Sequence, residues 1–93
     1  MHVAVLHVRL HVPQAGSLKE KRQVIKSILD RARSRYRVAA AEVEDQDIHR
    51  TAVLGFAAVS GSHAHAEEVV TKILEGLRLH PVAQLIEHEL EVL

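Results

Sequence analysis

The sequence predicts a two-layer α+β domain, and three observations carry that prediction. Segments at both ends of the chain alternate with period two, which is the period of strands. Two stretches between them place apolar residues at helical spacing. A third stretch, Thr51 to Ser60, is apolar on both faces, as a central strand is.

The elements follow in order. From His2 to Val12, Ala4, Leu6, Val8, Leu10 and Val12 share one face, and Val3, Val5, His7, Arg9 and His11 the other. Pro13 stops this strand, because it has no N–H for the ladder. Ser17-Leu18-Lys19-Glu20 then opens a helix as a capping box, with Ser17 accepting from the Glu20 amide and Glu20 reaching back to the Ser17 amide. Leu18, Ile25, Ile28, Leu29, Ala32 and Tyr36 form its apolar face. Val38 to Val43 reads as a second strand, and Glu44 to Asp47 as a polar turn before the central strand. Ser62 caps a second helix with Ala66, Val69, Val70, Ile73, Leu74 and Leu77 inward, and His80-Pro81 ends it. Gln84 to Leu93 alternates again, with Ile86, His88, Leu90 and Val92 on one face and Glu87, Glu89 and Glu91 on the other. His88 therefore reads as a core histidine.

The order β-α-β-β-α-β, with both helices on one face of an antiparallel sheet, is ferredoxin-like. Right-handed crossovers favour strand order 4-1-3-2. Residues 1–93 make a single domain, since two would each fall near the size floor for unaided folding.

Composition excludes several classes. There is no Cys, hence no disulfide scaffold, thiol nucleophile or thiolate metal site. No apolar run is long enough for a membrane-spanning helix, and no signal peptide is visible, so a cytoplasmic protein with no membrane partner is expected. The net charge of zero hides an asymmetry: residues 1–37 carry nine basic and two acidic residues, residues 38–93 three and ten. Either the two parts attract each other across the fold, or the basic part faces a polyanion.

The run Ser17-Leu18-Lys19-Glu20-Lys21-Arg22, following a strand that ends at Pro13, resembles the YlxP family of small bacterial proteins. The likeness continues in Ala41-Glu42-Val43, Gln46-Asp47, Leu54-Gly55 and the acidic last strand. It implies a ferredoxin-like fold and no established reaction. The genes of that family often lie among those for translation initiation and ribosome maturation, which implies a link to RNA or the ribosome by association.

The first helix carries the clearest candidate site. Lys19, Arg22, Lys26 and Arg33 fall within about 60° of one another on a helical wheel. Arg31 and Arg35 lie beyond the other edge of the apolar face, Lys21 near that edge, and Arg37 follows the helix. Asp30 is the only acidic residue spaced to pair with the stripe. The candidate nucleic-acid-binding set is therefore Lys19, Lys21, Arg22, Lys26, Arg33 and Arg37, with RNA or a ribosomal particle as partner. Aromatics are only Tyr36 and Phe56, and parity turns Phe56 inward, so backbone contacts rather than base stacking are expected.

No catalytic signature of nucleophile, P-loop or dinucleotide type is present, so neither an enzyme nor a cofactor is expected. The eight His lack chelating spacings: His7 and His11 would sit about 13 Å apart along a strand, so no metal site is expected. The uncovered sheet face would present Val3, Val5, Val53 and Val59, a candidate homodimer interface. The expected function is a non-enzymatic RNA- or ribosome-associated module; the alternative is a homodimeric domain that binds a small regulatory ligand.

Overall fold

The strands and helices arise where the hydrophobic period dictates. The computed structural model describes all residues Met1–Leu93. It contains β1 (His2–His11), α1 (Leu18–Tyr36), β2 (Ala39–Glu44), β3 (Thr51–Ser60), α2 (His63–Arg78) and β4 (Gln84–Val92). The four strands pair in the order β2-β3-β1-β4, all antiparallel. This is the ferredoxin-like arrangement that the element order predicts.

Alternation in β1 divides the sheet. Ala4, Leu6, Val8 and Leu10 are fully buried beneath the helices, beside Leu54, Phe56 and Ala58 of β3. From the helices, Ile25, Ile28, Leu29 and Ala32 of α1 and Ala66, Val70, Ile73, Leu74 and Leu77 of α2 complete the core. Each Leu- or Phe-sized side chain so buried contributes about 1.5–3 kcal/mol from apolar transfer.

The helix ends follow local chemistry. Ser17 Oγ accepts the Glu20 N–H at 3.2 Å. Glu20 reaches one residue further back than predicted, its carboxylate accepting from the Gly16 amide at 2.6 Å. Ser62 Oγ likewise accepts the His65 N–H at 3.2 Å. Helix α1 ends on Arg37 in the left-handed region (φ 54°), its N–H donating to the Arg33 carbonyl.

Two register shifts alter what alternation predicts. On β2, Glu42 pairs with Leu54 and Glu44 with Val53, leaving Val43 as the extra residue of a bulge. Val43 leans over Gly55, whose missing side chain makes room: a Cβ there would lie 3.4 Å from Val43 Cγ1. On β4, a shift beside Arg9/Leu10 leaves Ile86 unpaired and exposed. Strand β4 is an edge strand, and His88 is exposed rather than a core residue. The physical reason is incomplete cover: even the inward Leu85, Leu90 and Val92 are only half-buried.

Candidate nucleic-acid interface

Helix α1 places its cations in three different environments. Lys19 is exposed. Arg22 is exposed and its guanidinium lies 3.8 Å from Asp47, itself almost wholly in solvent. Lys26 is mostly exposed and meets Asp30 at 2.5 Å. Arg33 also reaches Asp30, at 3.3 Å, and donates to the Ala40 carbonyl at the start of β2. The hydrogen bond from Lys26, helped by the charge of Arg33, holds the Asp30 carboxyl below its ordinary range. Exposed pairs of this kind contribute little to stability, so Lys26 exchanges Asp30 for another anion at little cost. Arg33 is held in two directions and is the least available member of the stripe. Arg37 is exposed beyond the helix end.

Lys21 does not belong with them. Its side chain is completely buried, and its Nζ lies 2.9 Å from Glu42, 2.7 Å from the Asp45 carbonyl and 3.0 Å from that of Thr51, with Gln46 at 3.4 Å. A residue so enclosed cannot touch a nucleic acid, which corrects its place in the predicted set. The reason is helical geometry. Lys21 precedes Ile25 by four residues and Ile28 by seven, so it sits on the inward face. That spacing was present in the sequence, and it is the signal that distinguishes Lys21 from Lys19 and Arg22.

Lys21 anchors the turn between β2 and β3, and Arg9 anchors the same turn from the other side of the sheet. Its guanidinium donates to Asp45 at 2.7 Å and to Glu87 of β4 at 3.0 Å. The Glu87 hydrogen bond and the Asp45 charge, opposed by partial desolvation, raise its pKa further. Asp45 has φ 64° and also accepts from the Thr51 hydroxyl.

In the register, Val53 lies between Arg9 on β1 and Glu44 on β2. The Arg9 side chain therefore spans Val53 to reach Asp45. Val53 is fully buried, which removes it from the predicted interface. Val3 and Val5 are half-buried, and only Val59 of the group is open, at 67%. The rest of the face is divided. Val5, Ala39, Ala41, Val43 and Ala57 border a shallow apolar depression. Beyond it, His7 and Arg9 pair with Glu89 and Glu87.

No Phe, Tyr or Trp ring lies on this open face, since Phe56 is in the core and Tyr36 ends α1. The histidines are dispersed. His2 and His63 meet edge to face with ring centroids 5.5 Å apart, and His80 Nδ1 accepts the amides of Val82 and Ala83. No helix is long and apolar enough to cross a membrane.

Fold and surface together define a small ferredoxin-like α+β protein with a basic helix on one layer and an acidic edge strand on the other. Residues 3–90 match the family model described as "Protein of unknown function (DUF503)", and the chain belongs to that family. It is 42% identical over 60 residues to "Uncharacterized protein YlxP" of Bacillus subtilis (strain 168), a match covering 64% of this chain and 65% of that one. The matched stretch thus spans just under two thirds of that relative's length. Among solved structures, a de novo designed protein with ferredoxin fold matches with TM-score 0.61 at 16% identity, over 98% of this chain and 86% of the other. That likeness concerns the fold alone.

Proposed function

We propose that the protein is a non-enzymatic module that binds RNA, free or within ribosomal particles, through the exposed cations of α1. One observation carries this reading. Lys19 has no acidic partner, and Arg22 and Lys26 have only exposed ones, along one edge of a single helix. Such side chains release counterions from phosphates with little internal cost. Arg37 extends the set, Arg33 contributes least, and Lys21 plays no part. The gene neighbourhood implied by the family resemblance agrees with an RNA or ribosomal partner.

With about four phosphate contacts, the slope of log affinity against log salt is about −3 for single strands. Without further contacts, affinity lies in the ~10⁻⁴ to 10⁻⁶ M range. Polarisation titrations with ribosomal RNA fragments at several salt concentrations test this. Exchanging Lys19, Arg22 and Lys26 together for Glu removes binding. Binding unchanged by that exchange refutes the assignment to this helix edge.

The apolar depression on the open sheet face favours a second reading, a homodimeric domain that binds a small regulatory ligand. Val59 and Val43 are exposed at 67% and 45% beside it, and a second copy would cover them. Light scattering decides: a dimer that Val5→Lys with Val59→Lys converts to folded monomer supports this reading, and a wild-type monomer at micromolar concentration ends it.

A further inference from the structure

A concavity of about 330 Å³ lies between the C-terminal halves of α1 and α2. Its floor is the outer side of the core, including Ile28, Ile73 and Leu77. Arg31, Arg35, Lys72 and His80 line it, and no carboxylate does. Arg31 and Arg35 have no acidic partner within 4.0 Å, and Lys72 has Glu68 at 2.9 Å. The groove is thus rich in donors and poor in acceptors, the chemistry that an anion complements.

His80 adds a neutral donor. Because its Nδ1 accepts the Val82 and Ala83 amides at 3.1 and 2.9 Å, the ring proton resides on Nε2. Desolvation, then the charge of Arg31, lowers its pKa and maintains that form.

Gly76 sets the shape of the groove wall. It lines the groove from inside α2, where glycine is less favourable than alanine. Its φ is not positive, and a Cβ there would meet nothing within 4 Å. Neither backbone geometry nor packing therefore calls for glycine. Its effect is to leave the groove open.

Leu79 and Tyr36 also line the groove. Leu79 is 84% exposed there, and the Tyr36 ring stands 5.5 Å from the Arg35 guanidinium. Ligand sites commonly join an apolar floor to a few convergent polar groups within roughly 300–1,000 Å³.

We propose that this groove binds a nucleotide 5′-monophosphate, with its phosphate on Arg31 and Arg35 and its ring against Leu79 and Tyr36. The same chemistry occurs in a free mononucleotide and at the 5′-phosphorylated end of an RNA strand. The groove lies across the apolar face of α1 from Lys19, Arg22 and Lys26, so it stands apart from the RNA-binding edge.

Thermal-shift and calorimetric titrations of the full chain test the proposal. The probes are AMP, GMP, CMP and UMP, with adenosine and inorganic phosphate as controls. At about 1 mM, at least one monophosphate raises the Tm saturably, and the controls do not. Gly76→Leu, which plugs the groove, and Arg31→Gln with Arg35→Gln each weaken that binding at least about tenfold. The triple Glu exchange of Lys19, Arg22 and Lys26 leaves it intact, which separates this site from the RNA-binding edge. If the RNA end is the source, a 5′-phosphorylated oligomer binds more tightly than its hydroxyl counterpart, and Gly76→Leu erases the difference. Absence of both effects, equal stabilisation by inorganic phosphate, or full binding by Gly76→Leu overturns the proposal.

Discussion

Lys21 and Arg22 are neighbours in the chain and opposites in the fold. Lys21 is enclosed by Glu42 and three backbone carbonyls, whereas Arg22 stands in solvent with a distant, exposed partner. The difference teaches what a charge count conceals. One cation ties the β2–β3 turn to α1, and the next is free for an external anion. A single step of about 100° around the helix separates the two roles.

The largest expected effect comes from the buried side of that comparison. Lys21→Met leaves the Glu42 carboxylate in a largely buried site without its cation, and breaking such a pair costs about 3–5 kcal/mol. Urea denaturation measures the loss. Adding Glu42→Leu to Lys21→Met recovers much of it, since an apolar pair of similar volume removes the orphaned charge. If Lys21→Met costs no more than a surface substitution, the anchoring role assigned to Lys21 is wrong.

The exposed side of the comparison answers to a different measurement. The triple exchange of Lys19, Arg22 and Lys26 for Glu abolishes RNA binding but shifts the urea midpoint little, because exposed pairs contribute at most about 1 kcal/mol each. Exchanging Glu87 and Glu89 for Gln, on the acidic edge, leaves binding intact. Equal loss of binding in both variants would show that the fold, not the helix edge, was being measured.

Ser17→Ala removes the hydroxyl that caps α1 and lowers stability by about 1 kcal/mol, read from the same denaturation curves. It leaves the relation between Lys21 and Arg22 unchanged, because it acts at the helix end alone.

The smallest effect is a pH dependence at His80. Its pKa is lowered in the folded protein, so the unfolded chain binds more protons below about pH 6.5. The contribution of His80 is complete above that pH and is lost as pH falls below it toward the folded-state value. Protonation also removes the acceptor for the Val82 and Ala83 amides. Arg31 of α1, lining the same groove, adds to the cost of a new charge. The Tm of wild type should fall more between pH 7.5 and 5.5 than that of His80→Asn, and parallel curves would remove His80 as the cause.

The alternating β1, the capped helices and the central β3 were legible because their hydrophobic period acts locally and was unambiguous. The same pattern located Phe56 in the core. It misplaced His88, because alternation names a face without saying how far a helix covers it. It misplaced Val53 for the converse reason. Its face was right, but Arg9, reaching toward a turn distant in sequence, spans it. Lys21 was legible in principle from its spacing to Ile25 and Ile28, but its charge suggested the surface. The groove beside Gly76 could not be read, since it exists only where two helices meet.

By itself, then, the sequence determined the six elements, their order and the inward faces of β1, α1 and α2, because periodicity and capping act over a few residues. Tertiary structure alone decided which charges are neutralised across elements distant in the chain. Glu42, Asp45 and Thr51 meet Lys21 only when the β2–β3 turn folds back onto α1. Arg9 finds Asp45 and Glu87 only when β1 lies within the sheet. A charge acts through distance and burial, and both are properties of the folded chain.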